Sequence, residues 1–148
     1  FGAPALGYFF GNFAAGKLSA RVGLNRMILW GCWINVMGIG TSIIVFLLGF
    51  GSAETFFGLV TFVGIGNGMC IPNATAGSLS VRPHLAGTAS GLSGAIMLGG
   101  GAGLSALSGV LLAPDSGAYP LLWIMFPTSV AGVAAISSVI LRERQLGL

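Results

Sequence analysis

Polar side chains sunk in stretches that carry no charge are the residues of this chain with the means to recognise a ligand. Asn12, Asn35, Asn67 and Asn73 each stand inside a run without Asp, Glu, Lys or Arg. Such an amide is costly in an apolar setting unless hydrogen-bonded, so each must face protein or a water-filled cavity. Two uses follow: a bond to a neighbouring helix, worth about 0.6 kcal/mol on average, or contact with a polar group of a bound molecule. Tyr8 stands four residues before Asn12, and residues four apart share a helix face, which makes the pair a further candidate for ligand contact. Asn67 and Asn73 are six residues apart, on different faces of a straight helix at ~100° per residue. Pro72 lies between them, removes a backbone donor and favours a kink, so that both can approach one cavity. Gly64, Gly66 and Gly68 make the same segment deformable.

Catalytic chemistry has no comparable basis. An enzyme needs a nucleophile, an acid-base pair or a metal cluster, and no such constellation stands out in the sequence. His84 lies in the stretch Arg82-Pro83-His84-Leu85, far in sequence from any carboxylate, and reads as a solvated residue. Cys32 and Cys70 read as small apolar packing residues, with neither disulfide framework nor metal-ligand spacing around them. The glycines from 99 to 103 are not followed by Gly-Lys-Ser/Thr, and the run Gly64-Ile65-Gly66-Asn67-Gly68 lacks a glycine three residues after Gly66, where Met69 stands, and the preceding strand of a dinucleotide fingerprint. Helix packing accounts for both.

The elements that must position these residues are legible from composition. Of the 148 residues 55% are hydrophobic and 6% charged, against about 25% charged in an average soluble domain. A soluble domain with so few charges would expose large apolar patches. The 26 glycines weaken isolated helices in water but are frequent in membrane helices, where small residues let backbones approach. Charge-free runs cover residues 1–16, 27–53, 55–81, 83–114 and 116–141. Crossing ~30 Å of hydrocarbon takes ~20 apolar residues in a helix. The expected class is therefore an all-α membrane protein with five transmembrane helices, at about 1–16, 27–48, 55–78, 86–113 and 120–141. The first run is short and starts without Met, so it is expected to be a helix cut partway, and the chain a fragment.

Short connections at residues 17–26, 49–54, 79–85 and 114–120 carry Gly or Pro breakers and favour antiparallel neighbours in one bundle. If the helices alternate in direction, Lys17, Arg21, Arg26, Arg82, Arg142 and Arg144 share one side, and Glu54 and Asp115 the other. The positive-inside rule makes the basic side cytoplasmic and puts the C-terminus inside. The basic residues are too few and too dispersed to track phosphates, so no nucleic-acid partner is expected. Trp30, Trp33, Tyr119 and Trp123 fall near span ends, as interfacial aromatics do. On the fourth span Gly87, Gly91, Ala95, Gly99 and Gly103 recur every fourth residue, and on the first Ala3, Gly7, Gly11 and Ala15 do the same. Each stripe predicts a smooth groove for close docking of another helix.

The stretch Gly16-Lys17-Leu18-Ser19-Ala20-Arg21-Val22-Gly23-Leu24-Asn25-Arg26 resembles the signature loop of the major facilitator superfamily. Gly16, Leu18, Arg21, Gly23 and Arg26 match, while Ala20 stands where the family often has Asp. The segments Ile71-Pro72-Asn73-Ala74-Thr75-Ala76-Gly77 and Val81-Arg82-Pro83-His84-Leu85-Ala86-Gly87-Thr88-Ala89-Ser90-Gly91-Leu92 look like the tenth-to-eleventh helix region of its drug:proton antiporters, the Bcr/CflA type above all. The resemblance implies that the five spans correspond to helices eight to twelve of a twelve-helix fold in the inner membrane. It implies proton-coupled efflux of small amphipathic drugs, with the N-terminal half of the same protein as a partner. Metabolite import by the same fold, or a membrane scaffold subunit that transports nothing, are the alternatives. Tyr8, Asn12, Asn67 and Asn73 would contact cargo, and Pro72, Gly87, Gly91, Gly99 and Gly103 would serve helix packing and gating. No ionisable residue lies at mid-membrane in these spans, so the groups coupling transport to the proton gradient are expected elsewhere in the protein; no cofactor or metal is expected.

Overall fold

The computed structural model describes residues 2–81, 83–112 and 117–147. Among them every regular element is helical: α1 (Gly2–Val22), α2 (Leu24–Leu47), α3 (Ala53–Val81), a short 3-10 turn at Pro83–Leu85, α4 (Ala86–Leu111) and α5 (Tyr119–Leu146). The helices α2, α3, α4 with its preceding turn, and α5 are each long and apolar enough to cross a membrane. Helix α1, glycine-rich and ending among Lys17 and Arg21, does not meet that measure.

Several helices outrun their expected ends. Helix α1 continues through the signature stretch to Val22, and α5 runs past Arg142 to Leu146. Charge-free runs measure the part of a helix suited to hydrocarbon, whereas the backbone keeps its hydrogen bonds into more polar surroundings, where Lys and Arg are at ease. The connection expected at residues 17–26 shrinks to Gly23, whose φ of 93° turns the chain between α1 and α2. Gly16 and Leu18 consequently sit inside α1 and not in a loop. At the turn before α3, Ser52 Oγ accepts from the Thr55 N–H at 3.1 Å and Thr55 Oγ1 from the Ser52 N–H at 2.9 Å, a reciprocal cap that starts the helix. Arg82, Pro114 and Asp115, which entered the expected loops, lie outside the described residues.

Helix α3 lies between α1 and α2, and α2 in turn contacts α5. The α1–α3 contact is made by glycines on both helices. A Cβ at Gly7 would run into the Thr61 carbonyl, at Gly11 into the Ile65 carbonyl, at Gly64 into the Pro4 carbonyl, and at Gly68 would stand 2.5 Å from the Tyr8 oxygen. With no side chains in between, the two backbones meet directly, as the stripe on the first span predicts. On its opposite side α3 meets α2 the same way: a Cβ at Gly31 would stand 2.6 Å from the Gly66 oxygen. Ile39, Ile43 and Leu122 form a core joining α2 and α5, with Phe46, Phe56, Val63, Met125 and Phe126 packed against it. Tyr119 Oη donates to the Phe46 carbonyl at 2.7 Å and fixes the start of α5 to the end of α2. Trp30, Trp33 and Trp123 are exposed.

Helix α4 is the exception. Ser108 is its sole buried residue among those described, and a Cβ at Gly87, Gly91, Gly99 or Gly103 would meet nothing within 4 Å. Among the described residues the smooth groove of the fourth span has no partner.

Candidate functional site

The four asparagines are satisfied in different ways. Asn35 Nδ2 donates to Asn67 Oδ1 at 3.0 Å, an interhelical bond between α2 and α3. The Asn35 side chain is buried, and its Oδ1 has no hydrogen-bond partner. That oxygen lies where a Cβ of residue 66 would have to stand, so Gly66 is what admits the amide to the interface. Asn73 is 3% exposed and donates to the Met69 carbonyl of its own helix at 2.7 Å. Asn12 donates to the Tyr8 carbonyl at 2.9 Å, again within one helix. The Tyr8 side chain is exposed. Pro72 falls inside α3 without ending it. Asn67 and Asn73 thus do not converge on one point: the first is engaged by α2, the second by its own turn.

A cavity of about 940 Å³ opens instead between the first turns of α2 and the C-terminal parts of α3 and α5, with Arg26 and Arg144 among its lining residues. Its walls include Ile28, Ala74, Gly77 and Ala135, and its mouth carries Asn25, Arg26, Glu143 and Arg144. Tyr8, Asn12, Asn67 and Asn73 are not among its lining residues. The Ile39, Ile43 and Leu122 core holds α2 and α5 together away from the cavity, and α3 and α5 contribute Ala74, Gly77, Gly132 and Ala135 to its lining. The arrangement is a wedge: the Ile39, Ile43 and Leu122 core packs one part of the bundle, and the cavity, lined by Ile28, Ile136 and Val139 as well as by smaller residues, opens beyond it.

Across the mouth, Asn25 Nδ2 donates to Glu143 Oε2 at 2.6 Å, tying the start of α2 to the last turns of α5. Asn25 lies in the first turn of α2, so the Glu143 carboxylate is also held near a helix N-terminus, where its charge is favoured. Of the signature residues, Arg21 and Arg26 are exposed, and Arg26 lines the mouth. The contact between Asn25 and Glu143 is a pairing that sequence alone does not supply, since 118 positions separate the two. One signal was present: Glu143 is an acidic residue flanked by Arg142 and Arg144 at the basic end of the bundle. Glu143→Ala should lower the stability of the protein in detergent by about 1 kcal/mol, below the ~1.5–3 kcal/mol of bonds to charged groups because the site is partly exposed. Glu143→Gln keeps an acceptor and should recover part of it; an unchanged unfolding midpoint in both variants would remove the tie.

The groove of the opposite kind, on α2 and α3, is lined by Trp33, Ile34, Met37, Gly38, Thr41, Leu59 and Phe62 and encloses about 550 Å³. Its lining is mostly apolar, with polar atoms supplied by few residues, and suits hydrocarbon. Among the described residues no cluster of three or more His, Cys, Asp or Glu is placed to hold a metal ion. No family model, curated protein or solved structure matches the chain.

Proposed function

We propose that the chain is the C-terminal part of a twelve-helix secondary transporter of the major facilitator type, with α1 to α5 standing as helices eight to twelve. The whole protein, in this reading, expels small amphipathic drugs across a bacterial inner membrane in exchange for protons. The observation that carries it is the wedge: α2, α3 and α5 pack around Ile39, Ile43 and Leu122 and, beyond that core, enclose a cavity with charged groups at its mouth, bridged by the bond from Asn25 to Glu143. Alternating access calls for helices that close on one side of the membrane while they open on the other. Support comes also from α3, a membrane-length helix carrying Pro72 with close glycine contacts on two sides, because such a helix can bend while its neighbours stay seated.

The exposed glycine face of α4 fits a surface that docks on the other half of the protein, and Tyr8 and Asn12 fit a face turned toward that half. By the positive-inside rule the cavity mouth, with Arg26 and Arg144, faces the cytoplasm, as does the C-terminus. Energy comes from the proton gradient and needs no resident cofactor; the carboxylates that couple to it belong to the N-terminal half.

The test is transport by the full-length parent protein in everted membrane vesicles with a pH-reporting dye. Adding a hydrophobic drug should dissipate the proton gradient, and neutralising N-terminal intramembrane carboxylates should abolish the response. A response to sugars and not to drugs would replace this reading with metabolite import. No response to either would replace it with a scaffold that moves nothing.

A further inference from the structure

Two thiols sit at the closed end of the wedge. Cys32 on α2 and Cys70 on α3 are the two cysteines of the chain, and their Sγ atoms lie 3.5 Å apart. Cys70 Sγ also donates to the Ile28 carbonyl at 3.3 Å. Glycines make the room: a Cβ at Gly31 would stand 2.7 Å from Cys70 Sγ, and one at Gly132 would stand 3.5 Å from Cys32 Sγ. Cys32, Cys70 and Gly132 are the lining residues of α2, α3 and α5 that lie furthest from the mouth. Cys32 is 8% exposed and Cys70 half-buried, so a reagent reaches the pair through the cavity.

A disulfide bond is ~2.05 Å long; the sulfurs must therefore approach by about 1.5 Å, and no side chain stands between them. We propose that Cys32 and Cys70 are a redox modification site, at which a small anionic disulfide of the oxidised-glutathione class converts the pair into an interhelical disulfide. At the mouth Arg26 and Arg144 outnumber the Glu143 carboxylate, which is engaged by Asn25, and attract such an anion. The thiolate of one cysteine attacks a sulfur of the small disulfide, forming a mixed disulfide and releasing one small thiolate. The second cysteine then attacks the protein sulfur of that mixed disulfide, forming the Cys32–Cys70 bond and expelling the second small thiolate. Two protein thiols are oxidised, one small disulfide is reduced to two thiols, and the two cysteine protons end on the products. The new bond joins α2 to α3 at the point from which the wedge opens, and so holds the two helices at one separation. The site stands whether or not the protein is a transporter.

The experiment uses the full protein in native membrane vesicles, incubated with oxidised glutathione, alkylated with N-ethylmaleimide and mapped by mass spectrometry. Cys32 and Cys70 should lose alkylation together and appear as one linked peptide pair, lighter by two hydrogens than the two separate peptides and separated again by dithiothreitol. When chains grown with heavy and light isotopes share a membrane, linked peptides should be all heavy or all light. Both thiols remaining alkylatable, separate glutathione adducts accumulating on each cysteine, or heavy–light linked pairs would each overturn the proposal.

Discussion

Gly68→Leu is expected to unseat α1 from α3 and leave little folded protein. The Cβ of any residue here would stand 2.5 Å from the Tyr8 oxygen and 2.8 Å from the Asn12 nitrogen. Both are backbone atoms, which no rotamer change can move aside. Overpacking a core that can adjust costs about 1–3 kcal/mol; a collision of a larger side chain with a neighbouring backbone should cost at least the upper end of that range. Against a total stability of about 5–15 kcal/mol, such a loss empties much of the native state. Gly77→Leu makes the control, because residue 77 is also helical and a Cβ there meets nothing within 4 Å. The unfolding midpoint and the monodisperse fraction in detergent should fall for Gly68→Leu and hold for Gly77→Leu. Equal behaviour of the two variants would mean that α1 and α3 do not meet through these glycines.

Gly91→Leu should have the opposite profile in the full-length parent: normal folding of this bundle, with drug efflux lowered by at least about tenfold, equivalent to ~1.4 kcal/mol. A Cβ at Gly91 or Gly99 meets no described atom within 4 Å, so a leucine there has open space to enter. It would stand in the groove that the proposed transporter docks against its other half, where small residues set how closely helices approach. Ile140→Leu, a volume-conserving change, is the comparison. Transport equal to that of Ile140→Leu would remove the docking role of α4 while leaving the α1–α3 packing argument intact, because the two rest on different glycines.

These two variants mark how far the sequence could be read. The stripes Gly7 with Gly11 and Gly87 with Gly91 have the same four-residue spacing and the same expected use. Among the described residues only the first finds a partner, since Gly64 and Gly68 stand at matching heights on α3. A stripe is a local property, whereas its occupant is a matter of what lies opposite. The same holds for the asparagines. That each needs a hydrogen bond follows from its surroundings; that Asn35 would be the partner of Asn67, with Asn73 turned to its own helix, depends on which side of α3 the second helix takes.

Helical class and the apolar spans were determined by the sequence alone, because the energetics of burying charge in hydrocarbon act residue by residue along the chain. The ends of α1 and α5 escaped it, since a helix does not stop where its apolar face does. Only the tertiary structure decided that α2, α3 and α5 part around a cavity, that Asn25 reaches Glu143, and that Cys32 meets Cys70. Each of these joins residues far apart in sequence on helices whose relative rotation is set by many small contacts at once, and no spacing within one helix encodes that rotation.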